Sequence, residues 1–181
     1  MDNGASSYRR FLDGEEAAFD EILDLYQENL IFFLNRFVHN LTVAEDLAAD
    51  AFAELIMYPR RYNFSVTLKT YLFMIGRSRA LDWLRHESKL KITALDALPN
   101  TDAEYLSLEE HVIADERKRR VNEALERLRD DYKTAVHLIY FEEMSYEEAA
   151  KVMKKNKKQI ENLIYRAKNA LRTDLGKEGI D

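Results

Sequence analysis

Apolar side chains at Phe19, Ile22, Leu23, Tyr26, Leu30, Phe33, Leu34 and Phe37 recur at steps of three and four residues. That spacing places them on one side of an α-helix, whereas a strand would send alternate residues to opposite faces. Asp20, Glu21, Asp24 and Glu28 fill the other positions and face water. The pattern returns downstream. Thr42-Val43-Ala44-Glu45 has capping-box spacing ahead of a stripe made by Ala44, Leu47, Ala48, Ala51, Leu55 and Ile56, and the predicted helix ends near Tyr58-Pro59. A third helix is predicted from about residue 66 or 67 to 86, with Leu68, Leu72, Ile75, Leu81 and Leu84 on its apolar side. Five glycines and two prolines in 181 residues leave few tight turns. The chain is therefore expected to be all-α.

The periodicity fades over residues 88–107, where Pro99-Asn100-Thr101-Asp102 reads as a connection between two small helical domains. Residues 1–91 are assigned to the first domain, 92–116 to an acidic flexible linker and 117–181 to the second domain. Ser107 and Glu110 again have capping-box spacing, and helix is predicted from there to Leu128, with a break at Arg129-Asp130-Asp131-Tyr132-Lys133. Ala135, Val136, Ile139 and Tyr140 stripe the next helix, over residues 133–141. Ser145-Tyr146-Glu147-Glu148 caps a short helix reaching about Met153, and a last helix runs from near Lys157 to about Leu175.

Several function classes are excluded by what the chain lacks. Without cysteine there is no disulfide frame, thiolate metal site or thiol nucleophile. His39, His86, His111 and His137 are scattered, with no i, i+4 pair to hold a metal, so neither metal nor cofactor is expected. No carboxylate pair, nucleophile with its base, or phosphate loop stands out, and the protein is not expected to be an enzyme. No apolar stretch is long enough to span a bilayer, and no leader pattern opens the chain, so a cytoplasmic protein without membrane insertion is expected.

The formal net charge of −6 hides two basic blocks. Residues 60–91 hold eight basic and two acidic side chains, and residues 149–172 hold eight and one; between them, residues 92–116 hold seven acidic side chains and no basic one. Two basic blocks laid on helical patterns are footprints for a polyanion. In the second, a short helix, a turn and a longer helix make a helix-turn-helix pattern, whose last helix enters a DNA major groove. On a helical wheel Ile160, Leu163, Ile164, Ala167 and Leu171 form its apolar back, and Lys158, Asn162, Tyr165, Arg166 and Asn169 the opposite face. Cations suit phosphate or guanine there, and asparagine suits adenine. In the first block, arginines and lysines alternate with Tyr58, Tyr62, Phe64, Tyr71, Phe73 and Trp83. Rings among cations suit unstacked bases. Tyr62 and Phe64, in the loop that follows Pro59, are the base-contact candidates, while Tyr71, Phe73 and Trp83 are expected in the core.

The order of these elements resembles the bacterial RNA polymerase sigma factors of the sigma-70 family, in particular the small two-domain extracytoplasmic-function group. "VAEDLAADAFAELIMYPRRYN" is similar to region 2.2, "LKTYLFMIGRSRALDWLRHESK" to regions 2.3 and 2.4, and "EALERLRDDYKTAVHLIYFEEMSYEEAAKVM" with "IYRAKNALR" to region 4. The resemblance implies a promoter-specificity subunit. Glu45, Asp46, Asp50 and Glu54 would dock on the clamp coiled coil of the polymerase β′ subunit. Arg60, Arg61, Tyr62, Asn63, Phe64, Lys69, Arg77, Ser78, Arg79 and Arg85 would open and read the minus-ten element. Lys155, Lys157, Lys158, Gln159, Asn162, Tyr165, Arg166 and Asn169 would read the minus-thirty-five element, with region 4 also touching the β flap. The acidic linker would lie in the RNA exit path. An anti-sigma factor is a further implied partner, the protein being monomeric when free or 1:1 with that inhibitor. The chain departs from the family at Ser78, commonly asparagine, and in the region 4 turn, where Lys154 stands for a glycine, Lys155 for an aliphatic residue and Gln159-Ile160 for a Thr-Val pair. Two alternatives remain at this point: a sigma mimic that sequesters an anti-sigma factor, and a helix-turn-helix repressor.

Overall fold

The computed structural model describes residues 3–93 and 116–177, and every regular element among them is helical. The chain separates into two compact units, Met1–Tyr105 and Leu106–Asp181. No helix among the described residues is long and apolar enough to cross a membrane.

The first unit packs α1 (Asn3–Leu12), α2 (Ala17–Val38), α3 (Leu41–Met57) and α4 (Leu68–Thr93) around one core. Its centre is Ile22, Leu30, Phe33 and Leu34 of α2, with Leu55 of α3 and Leu68, Leu72 and Phe73 of α4. The Phe33 and Phe73 rings lie 4.9 Å apart. At Gly76 a Cβ would come within 3.0 Å of Leu30, so α4 crosses α2 at a separation that a side chain would widen. Helix α1 lies outside the elements predicted from periodicity. Its ten residues put Ala5 and Tyr8 into the core, and Gly4 lies against the Tyr26 ring with no room for a side chain.

Caps account for the other differences in the first unit. Asn40, not Thr42, caps α3: its Oδ1 accepts the Val43 N–H at 3.1 Å, and Thr42 falls inside the first turn. Thr67 Oγ1 accepts the Thr70 N–H at 3.2 Å and opens α4. That helix continues past His86 to Thr93, two residues into the span assigned to the linker. The linker's Pro99-Asn100-Thr101-Asp102 and the Ser107–Glu110 cap lie outside the described residues.

The second unit comprises α5 (Glu116–Glu126), α6 (Asp130–Val136), a π-helical turn (His137–Phe141), α7 (Tyr146–Met153) and α8 (Lys157–Lys177). Helix α5 ends at Glu126, not Leu128, and α6 opens at Asp130, earlier than Lys133, so the break shrinks to residues 127–129. Leu138, Ala149, Val152, Ile160, Ile164 and Ala167 form its core. Inside it, His137 Nε2 and Glu142 Oε1 approach to 3.3 Å.

Candidate nucleic-acid interface

Helices α7 and α8 with their turn form the helix-turn-helix. Ser145 and Glu148 exchange both bonds of a capping box at the start of α7. Lys154 ends α7 in the left-handed region, at φ 53° and ψ 45°, the place that glycine usually takes. A lysine therefore occupies a backbone position that is strained for any residue with a Cβ. Lys154→Gly is expected to stabilise the second unit by up to about 1 kcal/mol, read as a higher denaturant midpoint with unchanged slope.

Three of the residues expected on the reading face also hold this turn. The Gln159 N–H donates to Asn156 Oδ1 and the Asn156 N–H to Gln159 Oε1, both at 2.8 Å, a reciprocal cap opening α8. Lys155 is half-buried, and its Nζ lies 3.5 Å from Asp131 Oδ2 on α6. The Lys157 ammonium reaches Glu147 on α7 at 2.6 Å, which raises the lysine pKa and lowers that of the carboxyl. The open face is narrower than the sequence implied. Lys158, Asn162, Tyr165 and Arg166 are exposed, Tyr165 at 68%, while Asn169 is half-buried. Beneath them Ile160, Ile164 and Ala167 are buried, so this face is the side of α8 turned away from the core.

In the first unit, a 3-10 turn (Pro59–Arg61) follows α3 and leads into the aromatic loop. Tyr62 is 3% exposed, its hydroxyl donating to the Val66 carbonyl at 2.8 Å. Its ring is core, not a stacking platform, which corrects its assignment as a base contact. Asn63 is exposed, and its Oδ1 accepts the Ser65 N–H at 3.1 Å. Phe64 is half-buried at φ 59°, with its ring 4.6 Å from that of Tyr62. Phe73 is fully buried as expected, with Lys69 Nζ 5.9 Å from its centroid, whereas Tyr71 and Trp83 are half-buried. Burial and the neighbouring charge of Glu54 hold the Tyr71 phenol above its ordinary pKa.

Acidic and basic candidates from different predicted surfaces meet here. The Glu54 side chain is only 14% exposed and bridges Arg61 Nη1 at 3.0 Å and Arg79 Nη2 at 2.8 Å. Asp50 also approaches Arg79, at 3.5 Å. Arg61 stacks on the Tyr58 ring, 4.1 Å from its centroid. Arg85 pairs with Asp82 at 2.5 Å, and Arg77 and Ser78 are half-buried on α4. Glu45, Asp46 and Arg60 are exposed. Sequence periodicity put Ile56 in the buried stripe, yet Ile56 and Met57 project from α3 into solvent. Asp46, Asp50 and Met57 lie along one side of that helix, at spacings of four and seven residues, with Ile56 at its edge, and all four are exposed.

The chain matches the family model "Sigma-70 region 2" over residues 21–90 and "Sigma-70, region 4" over residues 118–171. It is 30% identical over 145 residues to the RNA polymerase sigma factor CarQ of Myxococcus xanthus, spanning 77% of this chain and 78% of that one. The chain belongs to the sigma-70 family. Within it the extracytoplasmic-function group is indicated by SigM of Bacillus subtilis, an ECF RNA polymerase sigma factor 25% identical over 153 residues, 84% of this chain and 92% of SigM. The structure of the Bartonella quintana sigma factor RpoE in complex with the anti-sigma factor NepR shares the fold, with a TM-score of 0.66 at 24% identity over 87% of this chain and 96% of that one. This ECF sigma factor directs RNA polymerase core to promoters. The two matched regions fall one within each unit, and the helix-turn-helix is the carboxyl-terminal part of region 4.

Proposed function

We propose that the sigma factor divides its work among three surfaces. Asp46, Asp50, Ile56 and Met57 on the exposed side of α3, with Glu45 beside them, dock on the β′ clamp coiled coil of the polymerase. The loop after Pro59 and the outer side of α4 capture the melted minus-ten strand, with Arg60, Asn63 and Phe64 as the open contacts. The face of α8 made by Lys158, Asn162, Tyr165 and Arg166 reads duplex minus-thirty-five DNA, and region 4 meets the β flap. Phosphodiester chemistry stays with the polymerase, and the sigma factor carries no reaction of its own. The likeness of fold to a sigma factor held by its anti-sigma factor supports a 1:1 inhibitor complex as the resting form.

The single observation that carries this reading is the two-sided α8, cationic and amide-bearing outside and apolar inside, held by capped ends in a helix-turn-helix. The test mixes purified sigma factor with core polymerase and selects from a library of promoter fragments. The expected result is retention of core and enrichment of a small promoter set. Core binding without any promoter enrichment would establish the sigma mimic instead; no core binding would favour a free-standing repressor. In the same assay Arg166→Ala is expected to weaken binding to the enriched promoters and to lower the salt slope by about 0.9 without affecting core retention.

A further inference from the structure

Among the described arginines of the first unit, most are already engaged. Arg10 holds Glu15 and Glu21, Arg61 holds Glu54, Arg79 holds Glu54 and Asp50, and Arg85 holds Asp82. Arg9 and Arg60 have no carboxylate within ion-pair distance among the described residues. Arg60 sits in the 3-10 turn that leads into the aromatic loop. Arg9 comes from a different element, α1, and its guanidinium lies 4.6 Å from the centroid of the Phe64 ring at the tip of that loop. An exposed cation without a carboxylate partner, set on an aromatic ring beside a basic loop, has the composition of a single-strand contact, in which charge holds the backbone and a flat surface accepts a base.

The neighbouring residue fixes where Arg9 stands. Tyr8 is fully buried, and its hydroxyl donates to the Leu55 carbonyl at 2.8 Å, tying α1 to the end of α3. The Tyr8 ring also meets those of Tyr62 and Phe64, at 5.6 and 6.1 Å. The backbone that carries Arg9 is thus held against the loop by core contacts, and its guanidinium is presented at the surface over the Phe64 ring. Phe64 occupies the left-handed region, unusual for an aromatic residue, so the loop holds this ring in place at a backbone cost.

We propose that Arg9 is a nucleic-acid contact of this sigma factor. With Phe64 it forms a guanidinium-on-ring step at the edge of the single-strand site, in which the guanidinium takes a phosphate of the melted strand while its plane and the ring support the adjoining base. The step rests on the minus-ten reading proposed above and extends it to a helix that the region 2 family match, which begins at residue 21, does not include.

The test uses full-length sigma factor bound to core polymerase. The probes are a fluorescein-labelled non-template strand from a promoter recovered in the selection above and a duplex carrying only its minus-thirty-five element. Arg9→Ala is expected to weaken single-strand binding about fivefold to tenfold and to lower the salt slope by about 0.7, the value of one phosphate contact on a single strand. Arg9→Lys is expected to restore the salt slope but not the full affinity, because an ammonium keeps the charge and lacks the plane. Duplex binding should be unchanged in both. Wild-type affinity and slope in Arg9→Ala overturn the proposal and leave minus-ten reading intact, as does an equal loss on the duplex, which would mark a general defect. A wild-type complex that selects promoters but does not hold the single strand overturns both.

Discussion

Tyr8→Ala is expected to lower the stability of the first unit by about 4 kcal/mol, because truncating a buried aromatic costs roughly 3–5 kcal/mol. Tyr8 is fully buried, edge-on to Tyr62 at 5.6 Å and 6.0 Å from Phe11, so its truncation would open a cavity in the middle of an aromatic cluster. Its hydroxyl also meets the Leu55 carbonyl in the last turn of α3, where helix carbonyls have no intrahelical partner. Tyr8→Phe separates the two contributions: it keeps the ring and should cost only about 1 kcal/mol for the lost bond. Denaturant melts followed by circular dichroism decide between them, and a loss below about 2 kcal/mol in Tyr8→Ala would show that the aromatic cluster repacks. Alkaline titration gives an independent reading. Burial, helped by the neighbouring Tyr71, pushes the Tyr8 phenol from 10.0 up to about 12. The folded state therefore favours the neutral phenol. Stability from this group is fully present below pH 10 and is lost as the pH rises from 10 to about 12. Tyr8→Phe should lose less over that window than the wild type.

The residues that could be read from sequence are those whose spacing alone settles their place. Helix α2 presents an apolar stripe over most of its 22 residues, and no other regular structure buries that set on one side. Helix α8 shows the same logic twice, since the stripe that defines its core side also defines its open side by subtraction. Where spacing is short, the reading weakens. Helix α1 has ten residues and few apolar positions, and its place depends on Tyr8 and Gly4 meeting partners far along the chain. Tyr62 and Phe64 are two residues apart in one loop, with the same chemistry, and only the packing of Tyr8 and Tyr71 decides that the first is core. Ile56 fits the wheel of α3 but lies beyond the part of it that its neighbours cover.

Ion pairs across elements were the least legible part. Glu54 and Arg79 are 25 residues apart, and no local pattern announces that an acid assigned to one surface will hold a base assigned to another. The cap of α8 is a different case. Asn156 and Gln159 have the spacing of a capping box, but the four lysines around Asn156 draw attention to charge instead. Once the cap is recognised, those lysines separate by task. Lys154 ends α7, Lys155 and Lys157 tie the turn to α6 and α7, and Lys158, the most exposed of the three lysines that pair with carboxylates, has only Glu161 of its own helix within ion-pair distance, at 3.6 Å.

Glu142→Ala is expected to cost the second unit about 3 kcal/mol, for a reason that also bears on promoter reading. The Glu142 and His137 side chains are 3% and 1% exposed, and Glu142 Oε1 lies 3.3 Å from His137 Nε2. Removing one member leaves the other with a partner fewer where water does not reach, which is the costly way to break a buried polar pair. The side-chain pair packs inside a π-helical turn that the backbone closes: the Glu142 N–H donates to the His137 carbonyl at 3.0 Å, and the Met144 N–H to that of Leu138 at 2.9 Å, delivering the chain to the Ser145 cap of α7. In a unit of this size a loss of about 3 kcal/mol lowers Tm by more than about 10 °C, readable by calorimetry as a shift of one transition. Replacing both residues by leucine should recover most of the loss, since a matched apolar pair removes the demand for a partner. A double variant no more stable than Glu142→Ala would show that the two side chains contribute separately. At a temperature between the two melting points, Glu142→Ala should fail to hold a minus-thirty-five duplex while still retaining core polymerase through the first unit. Loss of both activities together would mean that the damage is not confined to the helix-turn-helix.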